Sequence, residues 1–391
     1  MIKTKNKKQG RKHLITMAVP LLLSACFVAC QFNPMLEIDK SSSALDDSQQ
    51  KTNSETLPEG NPLLNPTVHP TLEFSTTEEP LENERYYSAL TGMETTPALA
   101  VARPLAICVG NTAKSLPQYG LSFADILVEA PVEGGSTRLM AIVENYRAVS
   151  CFGSVRSTRD YLQVLSSSFD AISAFAGKTD TSEKPTYHSG DSLDYIAQNL
   201  TNTFYRDTGR AAPHNLMTSG DLLSFSIDDC GYRTTSTQPS LPYRISINQS
   251  ASVTAREQSA QIVDLPFSSL QKSRFIYDPA KNLYYRYQNG AAHIDALTNA
   301  QLSYSNLIVI FCDSVVNTNA SGESILTMSL SGQGTGYFMS GGSATEISWR
   351  RSSDGTSLLF LDRSGRTLTV PAGRSYIALM KKSTIESIVI E

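Results

Sequence analysis

The chain has 391 residues, of which 40% are hydrophobic and 18% charged, which is enough for one or two packed domains. Its formal net charge is −4, and no stretch after residue 12 is dense in lysine and arginine. This balance argues against a nucleic-acid partner, and the cysteine and histidine spacings match no metal or cofactor site.

The first residues have the three parts of a bacterial lipoprotein signal peptide. Six basic residues and no acidic one occupy the first twelve positions, and an apolar run follows. That run is shorter than the ~20 residues that a permanent membrane-spanning helix needs. It ends in Leu23-Ser24-Ala25-Cys26, which resembles a lipobox, whereas the residues before Cys30 fit that pattern less well. We therefore predict a signal peptide over residues 1–25 and lipidation of Cys26.

The segment over residues 26–85 is predicted to be a disordered acidic tether. It contains eleven acidic residues against three basic ones, many Ser, Thr and Pro residues, and no apolar periodicity. Such a segment cannot offset the conformational entropy lost on ordering. The sequence thus predicts a protein held at the outer face of the cell membrane through its lipid anchor.

Residues 86–243 are predicted to form a mixed α/β domain. Apolar runs and helical spacings alternate here. The predicted strands are Leu105–Val109, Asp125–Ala130, Thr137–Val143 and Asp170–Ala176, and the predicted helices are Ser157–Phe169, Leu193–Leu200 and Asn215–Phe225.

A polar linker over residues 244–259 is predicted to lead into a mainly antiparallel β domain over residues 260–391, so that the expected fold class is α+β. Asn289-Gly290 is the strongest two-residue hairpin signal in this region. The predicted strands are Arg274–Asp278, Leu283–Gln288, Leu307–Cys312, Ile325–Leu330, Thr345–Trp349, Ser357–Leu361, Thr367–Val370 and Ile377–Met380.

Several motifs resemble the YerB-like family of bacterial lipoproteins. The longest are Val128–Arg138, Gly153–Arg159 and Tyr205–Leu216, and looser ones follow in the second region, among them His293–Asp295 and Pro371–Gly373. The chain departs from the family's usual residues at three positions, which are Gly110, Ser154 and Tyr376. The family more often has an acidic residue at Gly110. The resemblance implies a two-domain, membrane-anchored extracellular protein and supplies no catalytic residue.

The arginines of these motifs suggest an anion-binding site. Arg156 and Arg159 lie near the start of the helix predicted over Ser157–Phe169, whose first backbone N–H groups are free to bind a carboxylate or phosphate. The alternative is that they form ion pairs with Glu129, Glu133 or Asp207 inside the domain. The candidate ligand-binding residues are Arg138, Arg156, Arg159, Arg206 and Asn215.

The candidate catalytic residues are Glu129 and Glu133, as paired carboxylates, and His214, oriented by Asp207. Pro131 between the two glutamates forbids one helical face, so their spacing does not guarantee that they meet. No sequence motif of a known nucleophile or metallohydrolase accompanies them.

Two functional classes remain open. The favoured one is a non-catalytic binding or regulatory module of the cell envelope, whose partner is a cell-wall polymer or a cell-wall protein. The alternative is a cell-wall hydrolase or transferase that uses Glu129, Glu133 and His214.

Overall fold

The computed structural model describes residues 84–178, 190–237, 241–247, 258–318, 322–351 and 358–391. Cys26, the predicted signal peptide and all but the last two residues of the predicted tether lie outside this part. Strands make up 45% of the described structure, and helices make up 15%. The fold is mostly β, so the prediction of an α+β chain with a mixed α/β first domain overstates its helix content.

The strands of the described part fall into two groups along the chain. The first group is β1 Tyr86–Tyr87, β2 Glu94–Thr95, β3 Leu105–Gly110, β4 Ile126–Pro131, β5 Thr137–Val143, β6 Phe152–Gly153, β7 Ile172–Phe175, β8 Ser192–Asp194, β9 Tyr205–Arg206, β10 Leu216–Thr218 and β11 Arg244–Ser246. The second group is β12 Gln258–Ser259, β13 Ile262–Pro266, β14 Lys272–Asp278, β15 Leu283–Gln288, β16 Ala291–Ala292, β17 Ser303–Tyr304, β18 Asn306–Cys312, β19 Ser314–Thr318, β20 Ser324–Met328, β21 Gly332–Ser340, β22 Ser343–Arg351, β23 Leu359–Leu361, β24 Thr369–Pro371, β25 Ser375–Lys381 and β26 Val389–Ile390.

Helices are short and few in the described residues. The α-helices are α1 Pro97–Ala100, α2 Asp160–Ser168 and α3 Gly220–Asp229, and the 3-10 turns are Ala113–Ser115, Leu121–Phe123, Glu133–Gly135, Tyr146–Ala148 and Lys382–Ser387. None of the helices in this part combines the length and the apolar character that a membrane crossing requires.

Two predicted helices are wrong or displaced. The segment 193–200 begins as β8 and continues in turns, because the Asp194 carboxylate accepts from the backbone N–H groups of Ile196 and Gly177 at 3.0 and 2.8 Å. Such local side-chain bonds compete with helical ones. The helix expected from Asn215 starts only at Gly220, where the Ser219 hydroxyl accepts from Leu222 N, because residues 216–218 form β10 instead.

One large sheet contains strands from both halves of the chain. Its order is β12-β22-β21-β18-β25-β4-β5-β3-β7-β8, with β23 beside β22. The late strand β25 runs parallel to both β18 and β4 and lies between them. A second sheet has the order β16-β15-β14-β13-β26, with β17 beside β15. The hairpin predicted at Asn289-Gly290 is confirmed, since these two residues join the paired ends of β15 and β16.

The central strands are buried on both faces. In β3, Ile107 belongs to the buried cluster that includes Phe275 of β14, whereas its neighbour Cys108 belongs to the cluster that includes Leu162 of α2. Successive side chains of a strand point to opposite faces of the sheet, so double coverage requires an unbroken apolar run. This requirement explains why Leu105–Val109 contains no polar residue.

An ion pair without solvent contact joins the two sheets. Glu129 of β4 and Arg286 of β15 are both 0% exposed, and Nη2 of Arg286 donates to Oε2 of Glu129 at 2.7 Å. Burial by itself raises the pKa of Glu129, but the charge of Arg286 and the neighbouring hydrogen bonds outweigh burial and hold that pKa below its usual range. The carboxylate also accepts from Asn111, Thr137, Ser273 and Tyr376 at 2.7–3.0 Å, and from Gln271 at 3.5 Å.

The far side of Arg286 continues the network through a histidine. Nη1 of Arg286 donates to Nδ1 of His293, so Nδ1 carries no proton. Nε2 of His293 therefore carries the proton and donates to Oε1 of Gln118 at 2.7 Å. The Gln118 amide nitrogen in turn donates to Gly110 O and Asn111 Oδ1, both at 3.1 Å. The network thus fixes the histidine tautomer and the amide orientation.

We predict that Glu129→Gln lowers the free energy of unfolding by about 3–5 kcal/mol, because it leaves the Arg286 charge buried without an anion. Urea denaturation measures this loss. The Glu129→Gln/Arg286→Met double variant should recover part of it. The control Glu346→Gln removes a carboxylate that is 61% exposed and pairs with Arg363. A loss no larger than that of the control would contradict a stabilising role for the buried pair.

A second pair of acidic residues lies at the other end of the β4–β5 hairpin. The Asp125 carboxylate accepts from Glu144 N at 2.7 Å, and the Glu144 carboxylate accepts from Leu90 N at 3.1 Å. Glu144 is 6% exposed. Burial raises the pKa of Asp125 to about 6, and burial together with the charge of Asp125 raises the pKa of Glu144 to about 7. At neutral pH the two groups thus compete for protons.

The raised pKa values of Asp125 and Glu144 predict that the stability of the protein falls as the pH rises. A raised carboxyl pKa means that the folded state binds more protons than the unfolded state. The contribution of Glu144 to stability is therefore fully present below about pH 4.5 and is lost as the pH rises through 7. We expect Glu144→Gln to match the wild type near pH 5 and to exceed its unfolding free energy at pH 8 by on the order of 2 kcal/mol. Denaturation at both pH values, with exposed Glu386→Gln as the control, measures this. An equal difference at both pH values would refute the prediction.

Candidate anion-binding site

The site is built where two parallel strands end. β3 and β7 run in the same direction, so their carboxyl ends lie at one edge of the sheet. The motif Gly153–Arg159 passes between these ends, because Arg156 N donates to Cys108 O and Ala176 N donates to Arg156 O, at 3.0 and 3.1 Å. α2 begins directly afterwards. The backbone thus holds Arg156 at this edge.

Arg138 is buried in the same region without an anionic partner among the described residues. It faces Gly110 across the β3–β5 pair and is 6% exposed. Its Nε donates to Ser157 O at 3.0 Å, and no described acceptor lies within reach of its two terminal nitrogens. Burial, followed by the charges of Arg159 and Arg156, lowers its pKa to about 10.

His214 lies beside Arg156. Nη1 of Arg156 donates to Pro213 O at 3.1 Å, and Nδ1 of His214 lies 3.0 Å from the hydroxyl of Ser115. Burial lowers the pKa of His214, and the charges of Arg156, Lys114, Arg138 and Arg210 lower it further. The ring is therefore neutral at physiological pH, in a positively charged setting.

Arg210 closes the other side of this site. Its terminal nitrogens donate to the carbonyl oxygens of Ser115 and Pro117 at 2.7 and 2.9 Å. The site as a whole, called the basic cluster below, consists of Lys114, Arg138, Arg156, Arg210 and His214. Among the described residues, none of its four Lys and Arg side chains has a carboxylate at salt-bridge distance.

Arg159 differs from its neighbours because it has an ion-pair partner. Its Nε donates to Oε1 of Glu133 at 3.0 Å and its Nη2 donates to Oε2, so both carboxylate oxygens are engaged. Leu326 N also donates to Glu133. Internal pairing was the alternative left open for both motif arginines, and the structure places Arg159, but not Arg156, in such a pair.

Arg206, Asp207 and Asn215 shape the turn that carries His214. Arg206 donates to the Asn215 side-chain oxygen at 2.8 Å and stacks on the Tyr195 ring at 5.6 Å. The Asp207 carboxylate accepts from Gly209 N at 2.8 Å within its own turn. No described contact links Asp207 to the His214 ring, so the structure does not form the expected Asp–His pair.

The two candidate glutamates also have separate partners. Glu129 lies in the buried pair with Arg286, and Glu133 lies in the pair with Arg159. Glu129 lies within β4, whereas Glu133 lies in the 3-10 turn Glu133–Gly135 after that strand has ended, so the two side chains do not follow one strand face. Ala130 of β4 is opposite Arg138, so Glu129, one residue earlier, points to the other face of the sheet from Arg138.

Several residues of these networks were missed in the sequence, among them Lys114, Ser115 and Arg286. Lys114 and Ser115 belong to the 3-10 turn that follows β3, and a polar turn at the carboxyl end of a buried strand could have indicated them. Arg286 gave no comparable signal, because it lies in a strand with several polar residues. Within the described ranges, no group of three or more His, Cys, Asp or Glu side chains is arranged to hold a metal.

Two family models match the two halves of the chain. Residues 90–233 match "Protein of unknown function (DUF3048) N-terminal domain", and residues 263–377 match the C-terminal domain of the same family. The chain belongs to the DUF3048 family. The motifs that build the basic cluster fall within the DUF3048 N-terminal match, and Arg286 falls within the C-terminal match.

Known relatives agree with this assignment. "Putative lipoprotein YerB" of Bacillus subtilis (strain 168) is 27% identical over 272 residues, which cover 67% of this chain and 77% of the relative. The crystal structure of YerB protein from Bacillus subtilis matches with a TM-score of 0.66 at 24% identity, covering 78% of this chain and 99% of that one. The resemblance predicted from the motifs is confirmed, and the crystal structure supports the fold.

We predict that Arg156→Gln raises the pKa of His214, because among the surrounding charges that of Arg156 disfavours the imidazolium most. NMR titration of the His214 ring protons measures this change. Arg366→Gln, which removes a charge that is 81% exposed and pairs with Asp362, is the matched control and should leave the titration unchanged. Identical His214 curves in the wild type and Arg156→Gln would show that Arg156 does not act on the ring.

Proposed function

We propose that this DUF3048 chain is a lipid-anchored, non-catalytic protein of the cell envelope that binds anionic envelope material through its basic cluster. The observation that carries the proposal is Arg138, which is 6% exposed and has no described anionic partner. Burial of a guanidinium that has no described anionic partner is costly, and a bound anion would offset that cost. Arg156 lies beside it, and among the described residues only its Nη1 has an acceptor.

The relative and the sequence support the proposed location. The name of the Bacillus subtilis relative says lipoprotein, and Leu23-Ser24-Ala25-Cys26 of this chain fits a lipobox. Lipidation at Cys26 would anchor the chain to the membrane. The acidic segment over residues 26–85 would then let the folded part reach the surrounding envelope. The expected partners are a cell-wall polymer or a cell-wall protein.

The hydrolase or transferase hypothesis has less support from the contacts. A general acid or base must reach the substrate, and Glu129 is 0% exposed and already saturated with donors. Glu133 is held by both nitrogens of one arginine, and Asp207 does not orient His214. The described contacts therefore do not bring Glu129, Glu133 and His214 together in one open cleft.

The test uses residues 27–391, without the lipid-bearing cysteine, mixed with purified peptidoglycan that carries or lacks its anionic polymers. We expect the wild type and Arg366→Gln to sediment with the polymer-bearing wall, and Arg156→Gln to lose most of this retention. Released wall fragments are measured in the same tubes. Release by the wild type would favour the enzyme, and equal retention of Arg156→Gln and Arg366→Gln would exclude the basic cluster as the binding site.

A further inference from the structure

We infer that the basic cluster selects a doubly charged phosphoryl group, a phosphate monoester or inorganic phosphate, over carboxylates and phosphate diesters. This inference rests on the proposed function and names the ligand chemistry of the same site. Three features of the described residues support it, which are the charge of the cluster, the geometry of its free donors and the state of His214.

The charge of the cluster matches a dianion better than a monoanion. Lys114, Arg138 and Arg156 have no carboxylate at salt-bridge distance among the described residues, whereas the neighbouring Arg159 is neutralised by Glu133. Burial and the charges of Arg159 and Arg156 lower the pKa of Arg138, and burial and the charge of Arg159 lower the pKa of Arg156, so positive charge is crowded at this place. A carboxylate or a diester supplies one negative charge, while a phosphate monoester supplies close to two at neutral pH.

Two separate guanidinium groups offer donors to a ligand. Among the described residues, Arg138 donates only through Nε, to Ser157 O, and Arg156 donates only through Nη1, to Pro213 O. The terminal nitrogens of Arg210 donate to backbone carbonyl oxygens. Arg210 therefore contributes charge to the cluster and holds the turn. A monoester has three terminal oxygens that can accept from several directions, whereas a carboxylate has two in one plane.

His214 supplies a neutral donor or acceptor at the same place. Its Nδ1 is engaged with Ser115, whose hydroxyl is also 3.0 Å from that of Thr112. Nε2 is therefore the ring nitrogen left for a ligand. A bound dianion would oppose the charges that now keep the ring neutral, so binding should raise the pKa of His214.

Gly110 provides a way to test charge separately from shape. A Cβ atom at Gly110 would lie 3.0 Å from Cγ of Arg156 and 2.4 Å from the Ser115 hydroxyl, which would have to rotate. Gly110→Asp would therefore place a carboxylate inside the cluster. Gly110→Asn has the same size without the charge, so any steric cost is common to both variants.

The experiment is calorimetric titration of residues 27–391 with inorganic phosphate, glycerol phosphate, dimethyl phosphate and acetate. We expect the first two ligands to bind at least about tenfold more tightly than the last two, because each added charge-assisted contact is strong. Gly110→Asp and Arg156→Gln should abolish this preference, and Gly110→Asn and Arg366→Gln should keep it. NMR should show a higher His214 pKa in the phosphate complex.

The outcomes separate the two proposals. Equal binding of acetate and phosphate would overturn the phosphoryl preference and leave anion binding intact. Absence of binding by every anion would overturn both. Equal phosphate affinity in Gly110→Asp and Gly110→Asn would exclude the cluster as the phosphate site. Flotation with phosphatidylcholine vesicles that contain or lack phosphatidic acid then distinguishes a lipid headgroup from a soluble or polymer-borne monoester, since only the former would carry the protein to the vesicles.

Discussion

Glu129 and Arg286 form a fully buried ion pair that joins the two sheets. Each charge is 0% exposed, so each needs the other in place before it can leave water. Because Glu129 lies on β4 and Arg286 on β15, this need fixes the second sheet against the first. Tyr376 of β25 donates to the same carboxylate, which ties the last long strand of the chain to the first half.

The β4–β5 hairpin, which contains Glu129, also contributes Arg138 to the basic cluster. The pleat of β4 and β5 turns Glu129 toward one face and Arg138 toward the other. One charge is thereby neutralised inside the protein, while the other remains without a described anion at the sheet edge. This division gives the fold its stability on one face and a region suited to an anionic ligand on the other.

Much of the strand content was predictable from the pattern of apolar residues and from turn signals. Thr137–Val143, which is buried throughout, and Leu283–Gln288, whose residues alternate between buried and half-buried, form strands with the predicted bounds. The Asn289-Gly290 turn lies where its left-handed backbone preference indicates. The helix predicted over 193–200 failed because Asp194 bonds to nearby backbone groups and β8 pairs with β7. Local spacing does not reveal such long-range pairing.

The lipoprotein signature, the family and the residue types available for binding anions can be recognised in the sequence alone, since these depend on local order and composition. Which charges meet depends on the fold. Glu133 pairs with Arg159, and Glu129 pairs with an arginine 157 positions later in the chain, so Arg138 and Arg156 are left beside His214. Strand register and the packing on each face of the sheet determine these pairs, because a charge is neutralised only by an opposite charge that the fold places within a few ångströms of it.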